Sequence, residues 1–243
     1  HYVVLNLIGS AVFLLALSLI YGATGTLNMA DFAARAAELE GPALTLVKVA
    51  GLLLCVVFGL KAALFPLYFW LPATYASATA GVAALFAVMT KVGIYALLRV
   101  HGLAFSDGAL AGLGDMALWT VSLLTLGLAT VGVFGARRLG ELVAYLVVMS
   151  VGTLVAALAW GTEEAISGAL FYLLHSTLIC AGLFLLADLV SRGRGDAGDT
   201  LMAGPRPPAA GLLGALFFIG AVAVAGLPPL SGFLGKVMLL RAV

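Results

Sequence analysis

Four lysines occur in the 243 residues, and three of them, Lys61, Lys91 and Lys236, stand inside apolar runs from which the eight arginines are nearly absent. An ammonium near the centre of a bilayer costs at least about 2.5 to 3.5 kcal/mol on insertion scales, so it is retained where a proton is relayed, an ion moves or a charge needs balancing. A buried lysine can also give up its proton, which a guanidinium does not do, so lysine suits a site that alternates between two charge states. His175, in Tyr172-Leu173-Leu174-His175-Ser176-Thr177, adds an imidazole, a group that accepts and passes on a proton near neutral pH.

Each of these residues also has a plainer explanation. Lys61 stands about one turn before Pro66 and could reach an interface with its long stem. Lys236, beside Pro228-Pro229, could cap carbonyls freed where a helix breaks. His175 could be a packing histidine, with Ser176 and Thr177 as ordinary interhelical donors. Lys91 lies midway along its run, flanked by Ala87, Val88, Met89 and Val92, and has the least interface to reach. Thr90, Ser176 and Thr177 are also candidates to hold water between titrating groups. Lys48, at the start of its run, reads as an interfacial anchor, and Cys55 and Cys180 as packing residues. No carboxylate occupies the centre of a run, because Asp115, Glu141 and Asp188 all fall near run ends. The acid that a working lysine needs is therefore expected on a helix beyond this sequence.

The elements that must position these groups follow from composition. Apolar residues make up 63% of the chain and charged residues 9%, the mean hydropathy is +1.18, and a soluble domain carries roughly a quarter charged residues. Lipid is the solvent that such a chain fits. With a net charge of +1 and no basic stripe or acidic run, it is not built for nucleic acid or an acidic substrate. A spanning helix needs about 20 apolar residues, and six runs meet that length: 2–21, 43–66, 80–104, 113–135, 140–160 and 162–190. A seventh starts near Gly211 and is interrupted at Leu227-Pro228-Pro229. The fold class is all-α, a polytopic membrane bundle of about seven spans, and both ends, at His1 and Val243, read as truncations.

Proline inside a helix removes a backbone donor and clashes with the preceding turn, so breaks are expected at Pro66 and Pro72 and again at Pro228 and Pro229. Broken helices at equivalent places in two repeats surround midplane sites in transporters. The spacing suits a duplicated five-helix unit, with residues 1–104 ending one repeat and 113–243 opening the next. Basic residues stay in cytoplasmic loops. The loops after the second, fourth and sixth runs carry Arg137, Arg138, Arg192, Arg194 and Arg206, whereas the opposite side carries Arg35, with Arg99 near a run end, and Asp31, Glu38, Glu40, Asp107, Glu163 and Glu164. The first run therefore enters from the cytoplasm. The segment 191–208, rich in Gly, Arg and Pro, reads as a flexible connector.

Four stretches, FGLKAALFPLYFWLP at 58–72, LFAVMTKVGIYALLR at 85–99, FYLLHSTL at 171–178 and AGLPPLSGFLGK at 225–236, resemble the D subunit of multi-subunit Mrp-type sodium/proton antiporters, a family homologous to the proton-pumping subunits of respiratory complex I and membrane-bound hydrogenases. The resemblance runs along nearly the whole chain. It implies fourteen helices with two inverted five-helix repeats, of which this chain would hold the sixth to part of the twelfth. It also implies that Lys61, Lys91, His175 and Lys236 form a proton relay and that the acid paired with Lys61 lies on the fifth helix. Where the family often has an aspartate, a histidine and a lysine, this chain has Ala73, Tyr68 and Cys180, and prolines of the family fall where it has Ser77 to Gly81. The helix of His175 would then relay through His175 and water.

The expected function is that of a membrane subunit of a monovalent cation/proton antiporter in a bacterial inner membrane. Its partners would be other subunits of the complex, lipid, protons and Na+, with no cofactor and no nucleic acid. The alternative keeps the same path inside a redox-driven complex of the complex I or membrane-bound hydrogenase type. The HSTL and FPLYFWLP segments are more Mrp-like than complex I-like. A membrane-embedded transferase using His101, His175 and Asp188 is weaker, because His175 and Asp188 stand roughly 20 Å apart along one helix. A purely structural scaffold remains the plainest alternative.

Overall fold

The computed structural model describes residues 2–104 and 110–242, so Asp107, placed above among the loop carboxylates, lies outside the described residues. Ten α-helices are described: α1 Tyr2–Thr24, α2 Met29–Ala37, α3 Gly41–Ala62, α4 Trp70–Ser77, α5 Ala80–Ala104, α6 Asp115–Gly135, α7 Leu139–Trp160, α8 Glu163–Arg194, α9 Ala210–Ala225 and α10 Ser231–Arg241. Six stretches are long and apolar enough to cross a membrane, with α3 and α4 counted as one. The shorter α9 is followed by α10 across the proline pair.

α7 is the central element. Its residues Val143, Val147, Val151, Leu154 and Leu158 repeat at helical spacing, and Ala144, Val148 and Val155 bury a second face beside them. A helix that is apolar all round is a buried one. It packs against α6 and α8, and α8 in turn contacts α5, α9 and α10. Lipid supplies no hydrophobic drive between helices, so close approach at small residues matters. Gly152 of α7 lies where a Cβ would meet the Ser122 carbonyl of α6 at 3.1 Å. On α8, Gly168 lies where a Cβ would meet the Leu239 backbone nitrogen of α10 at 3.2 Å.

Two segments read from sequence as loops are ordered elements. Asn28 accepts from the backbone N–H groups of Ala30 and Asp31 and starts α2, whose Phe32 and Ala36 bury against the α1–α3 core. Arg35 then donates to Asp31 Oδ1 at 3.0 Å and to the Thr24 carbonyl at 2.9 Å. The segment 191–208, expected to be flexible, is tied down. Asp199 is buried and accepts from Arg138 Nε at 2.7 Å and from the Gly140 N–H at 2.9 Å. Leu139 N and Leu201 N each bond across the same seam. Arg194 donates to the carbonyls of Thr200 and Met202, at 2.5 and 2.7 Å. Arginine and glycine suggest mobility there, but the Arg194 guanidinium donates to the segment's own carbonyls and Asp199 ties it to Arg138 and Gly140. The seam also joins the loops that hold Arg137, Arg138 and Arg194, which places those basic residues at one end of the bundle.

Candidate functional site

The first helix break lies after Lys61. α3 ends with Ala63 in the left-handed region at φ 62, a conformation that costs a non-glycine residue roughly 1 kcal/mol. The Ala63 and Leu64 N–H groups bond back to the carbonyls of Leu60 and Gly59, and Trp70 Nε1 donates to the Leu60 carbonyl at 3.1 Å. The Phe65 N–H donates to Thr125 Oγ1 of α6 at 3.0 Å. A short 3-10 turn, Leu67–Phe69, leads into α4. Pro66 therefore sits at the break, whereas Pro72 lies in the first turn of α4, where a missing N–H is tolerated.

Lys61, half-buried, donates to Asn6 Oδ1 of α1 at 2.5 Å. Its backbone meets Gly93 of α5, where a Cβ would come within 3.2 Å of the Lys61 Cβ. Two residues earlier on α5, Lys91 is 3% exposed and donates to the Ser150 hydroxyl of α7. Ser150 passes the bond on to the Val147 carbonyl at 2.6 Å. Lys61 and Lys91 thus flank one α3–α5 crossing yet engage different neighbours.

The second break holds the other two groups. His175 Nδ1 faces Ser231 Oγ at 2.9 Å. Its Nε2 points toward the Ala223 carbonyl at the end of α9, since a Cβ on Gly232 would lie 2.8 Å from Nε2 and 1.9 Å from that oxygen. Only glycine fits there. Lys236 Nζ donates to the carbonyls of Val224 and Ala225, 3.0 Å each. These are carbonyls that the end of a helix leaves unpaired, so the capping role weighed above for Lys236 is present in this arrangement. Pro228 and Pro229 lie between α9 and α10.

His175 and Lys236 thus share the α9–α10 break, while Lys61 and Lys91 sit at the α3–α5 crossing. Among the described residues no hydrogen bond joins any two of the four, and none of the three lysines has a carboxylate partner. Their neutral partners, Asn6, Ser150 and Ser231, were missed in the sequence. Asn6 had a signal, an amide inside an apolar run; the two serines had little. Ser176 and Thr177, expected to bond between helices, both donate to the Leu173 carbonyl of their own helix. Thr90 likewise donates to Ala87 of its own turn. Such backbonding satisfies a hydroxyl within an apolar span without a partner helix. Among the described residues no three His, Cys, Asp or Glu side chains group to hold a metal ion.

A cavity of about 400 Å³ lies against Lys236, bounded by α6, α7, α8 and α9, with Thr153 and Tyr172 among its polar lining groups. A second, of about 210 Å³, opens at the arginine-rich end between Tyr75, Arg138, Asp188 and Asp199. Tyr75 closes it from the interior by donating to the Phe86 carbonyl at 2.6 Å.

The chain as a whole is similar to known membrane proteins. The probable D subunit of a K(+)/H(+) antiporter from Rhizobium meliloti (strain 1021) is 44% identical over 264 residues, covering 100% of this chain and 49% of the relative. The D subunit of a Na(+)/H(+) antiporter from Bacillus subtilis (strain 168) is 40% identical over 238 residues, covering 97% and 47%. The chain spans about half the length of these curated relatives. Among solved structures, a chain of the Mrp complex from Dietzia sp. DQ12-45-1b superposes with a TM-score of 0.82 at 30% identity, over 99% of this chain and 44% of that one. A chain of the membrane-bound sulfane sulfur reductase, an archaeal respiratory membrane complex, superposes with a TM-score of 0.89 at 31% identity, over 99% and 49%. Residues 1–243 match the family described as NADH:quinone oxidoreductase/Mrp antiporter, TM. The chain belongs to that transmembrane family.

Proposed function

We propose that this chain is the proton-translocating part of a membrane subunit in a multi-subunit monovalent cation/proton antiporter. Protons pass along Lys61, Lys91, His175 and Lys236 with water between them. The observation that carries this reading is Lys91, 3% exposed and hydrogen-bonded, among the described residues, to the Ser150 hydroxyl with no carboxylate beside it. Placing an ammonium there is costly unless its charge state is used. The two helix breaks support it, the first following Lys61 and the second holding His175 and Lys236 beside the carbonyls that the end of α9 leaves free. They also fit the reading of 1–104 and 113–243 as parts of two repeats. The arginine-rich end would face the cytoplasm of a bacterial inner membrane, and the partners are the other subunits of the complex.

The second reading places the same path in a redox-driven complex, and the superposition on the sulfane sulfur reductase chain favours considering it. The two separate cleanly in vesicles carrying the whole complex. Proton flux that starts on adding sodium or potassium, with no electron donor, supports the antiporter. Flux that requires a donor and ignores both cations supports the redox-driven pump instead.

A further inference from the structure

Lys236 occupies a place that suits a different cation. α9 ends at Gly226, whose φ of 75 turns the chain out of the helix. The Gly226 and Leu227 N–H groups satisfy the carbonyls of Val222 and Ala223. The next two carbonyls, of Val224 and Ala225, project from the negative end of the helix and accept only from Lys236 Nζ, at 3.0 Å each, among the described residues. The lysine stem reaches them over Gly226, where a Cβ would lie 2.6 Å from its Cδ. Beside Lys236 lies the cavity of about 400 Å³ that Thr153 and Tyr172 help to line, large enough for the neutral amine to withdraw into once its proton is lost.

We propose that the Val224 and Ala225 carbonyls bind a partly dehydrated monovalent alkali cation that keeps water as its other ligands, and that the Lys236 ammonium and this cation occupy the site in turn. Backbone carbonyls at half-helix ends are hard oxygen ligands suited to such ions. The protonated lysine is then a tethered competitor. When Lys236 loses its proton and leaves the carbonyls, the site opens to the cation; when the proton returns, the cation is expelled. One site thus exchanges one cation for one proton. This rests on the antiporter reading, and it adds where cation and proton meet. The titratable groups facing Lys236 are His175 and Tyr172 of α8; α9 carries none.

The test is equilibrium binding of radiolabelled sodium and rubidium to the purified whole complex across a pH series. Simple competition makes the apparent Kd of the wild type rise about tenfold for each unit of falling pH while Lys236 is protonated. Lys236→Ala removes the competitor, so binding becomes tight and loses that dependence. Lys236→Arg installs a cation that never deprotonates, so this binding is lost at every pH. Opposite effects of the two variants support the site. Unchanged, pH-dependent binding in either variant overturns it, as does binding lost equally in both. Cation-driven proton flux by the wild type is measured alongside. Its absence would overturn the antiporter reading itself, whereas its presence with binding indifferent to residue 236 would overturn only this inference.

Discussion

Lys61 and Asn6 meet at 2.5 Å, ammonium to amide oxygen, and so couple α1 to α3 just before the first helix break. An amide accepts this bond whether or not the lysine gains a second, charged partner. It therefore holds the side chain in place without fixing its charge. Asn6→Leu leaves the ammonium unpaired in apolar surroundings, which costs about 1 to 3 kcal/mol for a buried donor and more for a charged one. Proton flux in vesicles should fall about tenfold or more, while Asn6→Asp should retain the coupling and lower the thermal midpoint far less than Asn6→Leu.

Ser150 is predicted to position Lys91. Ser150→Ala removes the hydroxyl that accepts from it, and Ser150→Thr keeps that hydroxyl. Flux should drop in the alanine variant and recover in the threonine variant at equal assembly. Equal loss in both would point to a packing defect at the α7 core instead.

Gly232 is predicted to be intolerant of a side chain. A Cβ there would stand 1.9 Å from the Ala223 carbonyl, closer than any real contact, so Gly232→Ala must push α10 away from His175. Loss of flux and a lowered thermal midpoint are expected. Gly182, with nothing within 4 Å of its Cβ position, should accept alanine with full assembly.

The Asp199 seam is structural. Asp199→Ala orphans the Gly140 N–H and releases Arg138, a loss of about 1 to 3 kcal/mol. Limited proteolysis should then cut within 195–208 in the variant and spare that segment in the wild type.

At the other end, Arg35 beside Asp31, helped by Thr26, holds the Asp31 carboxyl below its ordinary range. A depressed folded-state value means that the stabilisation is complete above the unfolded pKa and is lost as pH falls through the folded one. Amide exchange in α2 should therefore quicken only below the usual carboxylate range, and Asp31→Asn should remove that acid sensitivity.

Much of this was legible in the sequence, for definite reasons. Spans are visible because every residue from Leu139 to Trp160 must satisfy its backbone in lipid, which leaves long apolar runs. Lys61, Lys91, His175 and Lys236 stood out because an ionisable group in such a run is expensive. What was not legible depends on pairing across the chain. Ser150 looks like any small residue in a span until α5 brings Lys91 against it. Asp199 sits 61 residues from Arg138, so the loop read as mobile from its glycines. Pro72 was read as a breaker, yet its place in the first turn of α4 spares the helix. α2 escaped because nine residues are too few to register as a run, although Asn28 and the Asp31–Arg35 spacing were signals of a capped helix.

The central claim is that buried lysines change charge state as protons move. Its most direct test is cation-dependent proton flux in vesicles carrying the full complex, comparing wild type with Lys61→Ala and Lys91→Ala after assembly is confirmed. The account predicts that flux is lost in both variants with assembly intact. Flux persisting in both at the wild-type rate would contradict it and leave these lysines as structural residues of a membrane bundle.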